Sequence, residues 1–150
     1  MKNDNINKLV REAKVGDAKA LTELYYQMCP EDDVNVSEER IKSFNESKRD
    51  FLLVAESNGV VAGTVTLNIC LNAEMGLINY AIIENVIVSD KFRLMGIGKL
   101  LLDNAEKISR EHNCEKIMLL SSVKRTGAHK FFKGSGFADD ISKGFKKYLI

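Results

Sequence analysis

The sequence is short of the residues that interrupt or staple a chain. Only one proline, Pro30, occurs in 150 residues. No stretch rich in proline, glycine or serine reads as a linker, which favours one domain over residues 1–150. The three cysteines, Cys29, Cys70 and Cys114, are odd in number and far apart. They show no CxxC spacing and no neighbouring histidine pair, so neither a disulfide framework nor a metal site is expected. They read as small buried hydrophobes. No apolar run approaches the roughly 20 residues that cross a bilayer. The opening MKNDNINKLV has no apolar core of signal-peptide length, so a cytoplasmic protein without a membrane partner is expected. Neither sign of charge dominates. The formal net charge is +1, which offers no broad footprint for nucleic acid. Repeats and low-complexity segments are absent.

What is present is an ordinary soluble balance, with 45% apolar and 29% charged residues, long enough for one substantial core. Ile6 to Arg11 alternates weakly and reads as a first strand. Gly16-Asp17 then reads as a turn and N-cap. Ala20, Leu21, Leu24, Tyr25 and Met28 follow at helical spacing, and Pro30 ends that helix. After the acidic run Glu31-Asp32-Asp33, Ser37-Glu38-Glu39-Arg40 opens a second helix carrying Ile41 and Phe44.

The middle of the chain is β-rich. Phe51 to Glu56 and Val60 to Leu71 flank Asn58-Gly59, a pair suited to a hairpin turn with positive φ at both positions. Leu77 to Ser89 is a third strand, and the three form an antiparallel meander. From Ile97 the apolar period becomes helical through Leu101, Ala105 and Ile108. Asp103/Lys107 and Glu106/Arg110 are spaced as outer-face ion pairs. Lys116 to Ser121 reads as a short strand buried on both faces, making a βαβ crossover and a locally parallel pair. A further helix through Ala128, Phe131 and Phe132 ends at Gly134-Ser135-Gly136. Strands from Phe137 and from Phe145 to Ile150 are expected to close the sheet. The fold class is α/β with a mixed, mostly antiparallel sheet.

Arg93-Leu94-Met95-Gly96-Ile97-Gly98 lies between the third strand and a helix start. Helix N-termini present free N–H groups and the positive end of the helix dipole. Glycine lets an anion approach that backbone closely. The stretch therefore reads as a phosphate-holding turn, and by itself leaves any small nucleotide open as ligand.

The same six residues match the acyl-CoA pyrophosphate signature [RQ]-x-x-G-x-[GA]. Ala128 to Phe137 is similar to the A-h-x-F-Y-x-x-x-G-F run of the same family. On these two motifs the chain resembles the GNAT superfamily of acyl-CoA-dependent N-acetyltransferases. Val10-Arg11-Glu12-Ala13 and Gly16-Asp17 resemble that family's first strand and turn more loosely. The resemblance implies acetyl-CoA as cofactor and transfer of its acetyl group to an amine of a small molecule or peptide, with a homodimer as a possible assembly. It assigns cofactor contacts to Val86, Ile87 and Val88 through their backbone, to Arg93, Leu94, Met95, Gly96, Ile97, Gly98 and Lys99, and to Ser121, Arg125, His129 and Phe132. Lys99 and His129 also read simply as a solvated lysine and a surface histidine.

Glu84 is the candidate general base, a carboxylate in an otherwise apolar strand; it also fits a structural glutamate near the sheet edge. Alternation places it on one face with Tyr80, Ile82 and Val86. Many members of the family carry tyrosine where this chain has Phe132, and that tyrosine is thought to protonate the leaving thiolate. Tyr80 and Tyr148 are the substitutes considered. The missing hydroxyl also leaves open a regulatory or sensor domain that binds acyl-CoA without turnover. Tyr25, Tyr26, Met28 and the acidic run are the candidates for the acceptor site. His112 and Asn113 read as the cap of the preceding helix.

Overall fold

The computed structural model describes residues 7–150. They form two compact units, 7–118 and 119–150. The first begins with β1 (Lys8–Glu12), a 3-10 turn at Val15–Asp17, α1 (Ala18–Met28) and α2 (Glu38–Glu46). The strands β2 (Asp50–Ser57), β3 (Val60–Cys70) and β4 (Asn79–Val88) follow. A second 3-10 turn, Asp90–Phe92, leads to α3 (Ile97–Glu111) and then to β5 (Cys114–Leu119). The strands lie in the order β1-β2-β3-β4-β5. The first three pairs are antiparallel, and the sheet contains one parallel pair. Ile6, expected in the first strand, lies outside the described residues.

Local chemistry explains most of these elements. Asn58 and Gly59 take φ of 50° and 80°, the geometry that lets a tight turn follow strand twist. Ser37 caps α2 by accepting the Arg40 N–H at 3.1 Å. His112 is the C-cap of α3, and Asn113 follows it at φ 56°, as left-handed helix ends require. On the outer face of α3, Glu106 pairs with Arg110, while Asp103 pairs with Lys99 rather than with Lys107. Lys107 instead reaches Glu111.

The register assigns the two sheet faces. Leu52 and Val54 on β2 oppose Thr66 and Thr64 on β3, and with Leu21 and Ile41 they form the core under α1 and α2. Leu53 and Ala55 oppose Val65 and Gly63 and face α3. A Cβ built on Gly63 would lie 2.7 Å from the Ile87 carbonyl oxygen, 3.0 Å from Ile97 Cγ2 and 3.1 Å from Leu101 Cδ1. Only glycine lets the first turn of α3 sit this close to the sheet.

Several expectations are corrected. Asp17 does not cap α1 with its side chain. It accepts the Lys14 N–H at 2.7 Å and forms a two-pronged pair with Arg11, whose guanidinium also binds Glu56. A short polar acceptor beside a turn satisfies whichever donor is nearest, and the guanidinium wins. β5 is not buried on both faces: Glu115, Lys116 and Met118 are exposed, as suits the last strand of the sheet. The cysteines are half-buried rather than buried.

The second unit contains α4 (Thr126–Gly134), which ends where expected. Among the described residues no strand follows β5. Phe137 follows the turn at Gly136 instead, and Phe145, Tyr148, Leu149 and Ile150 are exposed. A strand needs a neighbour to take its N–H and C=O groups, and this run has none.

Two stability predictions follow from this packing. The Arg11 guanidinium holds the Asp17 carboxyl below the usual carboxylate range, so the pair's contribution is complete above about pH 4. It is lost as pH falls through the lowered folded-state value. Asp17→Asn should therefore cost about 1–3 kcal/mol near neutral pH, and the gap from wild type should close in acid. Urea titrations at neutral and acid pH measure it; an equal gap at both would remove the ion pair as cause. Gly63→Ala should cost about 1–3 kcal/mol by overpacking. Gly16→Ala, where a Cβ meets nothing within 4 Å, is the control and should change stability far less in the same denaturation.

Candidate functional site

β4 is not a regular strand. Glu84 opposes Thr66 and Ile87 opposes Thr64, so two residues of β4, Asn85 and Val86, stand against the single Val65. This is a β-bulge, and Asn85 takes φ 54° within it. Asparagine tolerates that left-handed conformation better than other non-glycine residues. The bulge also corrects the expected alternation. Tyr80, Ile82 and Glu84 share a face through their partners Cys70, Asn68 and Thr66, but Ile87 joins them beyond the bulge, in the place expected for Val86.

β4 and β5 are tied at their starts, where the Asn79 N–H donates to the Asn113 carbonyl at 2.9 Å. Side chains reinforce the tie. Asn79 Nδ2 donates to the His112 carbonyl at 2.8 Å, and Asn113 Nδ2 to the Leu77 carbonyl at 3.0 Å.

Beyond β4 the backbone becomes rich in outward-facing donors. Leu94 adopts φ 60° with its side chain fully exposed, and Gly96, the N-cap of α3, adopts φ 79°. A left-handed leucine costs about 1–2 kcal/mol, and exposing its side chain recovers nothing. Such strain points to a functional turn. The Leu100 N–H is the first to bond back to the Gly96 carbonyl. The N–H groups of Ile97, Gly98 and Lys99 therefore precede any intrahelical acceptor, and no side chain caps the end. Left-handed residues at Leu94 and Gly96 beside an uncapped helix N-terminus leave backbone N–H groups of the kind that suit an anion. Arg93 is paired with Asp90, and Lys99 with Asp103 at 2.6 Å. Both pairs are exposed, and such pairs are weak enough to exchange for another anion.

Two residues that sequence reasoning missed fix this turn. Lys8 donates through Nζ to the Met95 carbonyl. Gln27 on α1 accepts the Asp90 N–H at 3.2 Å. Both contacts join residues far apart in sequence, which no local pattern marks.

On the α1 side of the sheet, a cleft of about 290 Å³ is lined by Tyr25, Met28, Cys29, Asp32, Val36 and Asn85, among others. The structure thus brings together Tyr25, Met28 and Asp32 from the expected acceptor set, with Asn85 of the bulge. Tyr26, on the outer side of α1, is 56% exposed and does not line it. Tyr25 is half-buried, and Thr66 and Thr64 of β3 lie beside its phenol. Burial pushes its pKa above the ordinary phenol value, more than those hydroxyls lower it. Glu84, paired in register with Thr66, is exposed. Tyr80 stands at the opposite end of β4, under Lys116.

Within the second unit, Ser121 Oγ is the one buried side-chain polar atom among the described residues without a hydrogen-bond partner. A hydroxyl left so suits a ligand that supplies the partner. His129 Nε2 meets the Ser122 carbonyl at 2.8 Å. Arg125 is the N-cap residue of α4. Phe132 is buried, its ring edge-on to Phe137 at 6.0 Å. Tyr148 is 79% exposed. No helix of the described residues is long and apolar enough to cross a membrane.

Residues 18–137 match the acetyltransferase (GNAT) family. A protein of Agrobacterium tumefaciens str. C58, provisionally named an acetyltransferase, superposes with a TM-score of 0.85 at 29% identity, covering 94% of this chain and 99% of that one. Glucosamine-6-phosphate N-acetyltransferase of Arabidopsis thaliana superposes with a TM-score of 0.80 at 22% identity, covering 96% and 99%. An aminoglycoside N-acetyltransferase in complex with CoA gives 0.81 at 16% identity, covering the whole of both chains. With most of its length matched and its fold shared, the chain belongs to the GNAT acetyltransferases, whose cofactor is acetyl-CoA.

Proposed function

We propose that this protein transfers the acetyl group of acetyl-CoA to a primary amine of a small molecule or peptide, by direct attack of the amine on the thioester. The observation that carries this reading is the β4 bulge followed directly by the donor-rich turn into α3. The residues fit the cofactor. Backbone N–H groups from Leu94 through Lys99 would hold its pyrophosphate, with Met95, Gly96, Ile97 and Gly98 forming the cradle and Arg93 adding charge. Acetyl-CoA supplies an activated acyl group. The amides of Val86, Ile87 and Val88 would take the pantetheine arm and polarise the acyl oxygen, as fixed donors do in an oxyanion hole. In the second unit Ser121 offers its unpartnered hydroxyl. Arg125, His129 and Phe132 are assigned to the cofactor by the resemblance.

The acceptor would enter the cleft beside Tyr25, Met28 and Asp32, where a carboxylate favours a cationic amine. That proteins of this fold include enzymes named for aminoglycosides and for glucosamine 6-phosphate supports an amine acceptor. Glu84 would accept a proton from the attacking amine, directly or through water. The family match runs from the first unit into the second, which supports one acetyltransferase domain over 1–150. We read it as a cytoplasmic enzyme without nucleic-acid or membrane partners, working alone or as a homodimer.

Phe132 supports a second reading, a regulatory domain that binds acyl-CoA without turnover. Release of free CoA across a panel of amines separates the two. The expected outcome is release with at least one cationic primary amine; tight acetyl-CoA binding without release for any amine supports the regulatory reading. Glu84→Gln should lower kcat by about 10²-fold and alter the acid limb of the pH–rate profile. A variant with the wild-type profile would take the base role from Glu84.

A further inference from the structure

Acyl transfer from a thioester ends with a proton on sulfur, so a donor near the scissile bond speeds the leaving step. Phe132 carries no such proton. Tyr80 stands at the far end of β4 from the bulge, and Tyr148 lies on an exposed tail. The cleft beside the bulge contains one phenol, that of Tyr25.

We infer that Tyr25 is the proton donor to the departing thiolate, an assignment that rests on the acetyltransferase reading above. Its place is fixed by packing. The ring lies against the apolar cluster of Ala13, Leu21, Ile41, Leu52 and Val54, and its phenol stands beside Thr66 and Thr64 on β3. Those threonines oppose Glu84 and Ile87, the two residues that bracket the bulge. Thr64 already donates to the Leu53 carbonyl at 2.7 Å, so its oxygen only accepts. Thr66 is then the hydroxyl that can donate to Tyr25 once the phenol has lost its proton. Burial pushes the phenol above its ordinary value, which favours the protonated form that an acid needs.

The step balances. The amine nitrogen bonds to the acyl carbon, the C–S bond breaks, and sulfur leaves with the electron pair. Tyr25 gives its proton to sulfur, forming the thiol. The surplus proton on nitrogen goes to Glu84 or water, and the phenolate is reprotonated from water.

The titratable groups around Tyr25 are Cys29 and Asp32 in the cleft and Glu84 on β4; the cluster under its ring has none. Its removal should therefore show on the basic side of the pH–rate profile. Tyr25→Phe keeps the ring packing and should leave the melting temperature and the KM for acetyl-CoA near wild type. It should lower kcat by about 10²-fold and abolish the fall in kcat at high pH. A 3-fluorotyrosine at this position, more acidic but nearly the same size, should move that fall to lower pH and keeps the test open if the phenylalanine protein folds poorly. A Tyr25→Phe enzyme with wild-type kcat and an intact basic limb overturns the assignment while leaving the acetyltransferase reading standing. A wild-type protein that binds acetyl-CoA but releases no CoA with any amine overturns that reading, and the donor role with it.

Discussion

Between Glu84 and Ile87, strand β4 carries one residue more than β3 can match, and the ladder absorbs it by letting Asn85 turn left-handed. A regular ladder would satisfy every N–H and C=O of the strand inside the sheet. The bulge interrupts that pairing and reverses the side-chain alternation beyond it. It also brings Asn85 to the cleft under α1. Regular pairing on either side of it, Tyr80 to Glu84 against Thr66 to Cys70 and Ile87-Val88 against Gly63-Thr64, holds the distortion in place.

The turn into α3 depends on the same rigidity. Gly63 leaves room for the Ile87 carbonyl on one side and for Ile97 and Leu101 of α3 on the other, and both α3 residues are fully buried there. The strained Leu94 and the open helix end are thus anchored through residues next to them rather than through their own side chains. Lys8 and Gln27 add polar ties from β1 and α1. An anion site of backbone N–H groups works only if that backbone does not relax around something else, and burial on one side of the turn prevents that.

The parts written in local chemistry were legible in the sequence. Asn58-Gly59 and Ser37 before Glu38 each have one favoured geometry, and each adopts it. The amphipathic spacing of α3 and the crossover to β5 were readable for the same reason. Long-range choices were not. Asp17 looked like a cap because sequence shows its position but not the Arg11 guanidinium across the turn. The apolar run at 145–150 looked like a strand because composition reports β-propensity, not whether an edge awaits it. Asn85 gave a faint signal, a polar left-handed-tolerant residue inside a strand pattern, yet its bulge is defined only against β3.

Cofactor and acceptor are recognised by different kinds of group, which explains why one is readable and the other is not. Acetyl-CoA would meet mainly backbone, and backbone recognition needs only the glycines and the strand–helix context, so it leaves a motif. The amine would meet the side chains of α1 and the loop after it, Tyr25, Met28 and Asp32, where no spacing rule applies. Proton donation belongs with the second kind. It requires an acidic hydrogen within reach of sulfur, not a particular element to carry it. Phe132 can therefore keep its aromatic packing against Phe131 and Phe137 without ending the chemistry, provided another rigid element presents a phenol to the same bond. Under the Tyr25 assignment α1, packed onto β3, would be the element that carries the phenol.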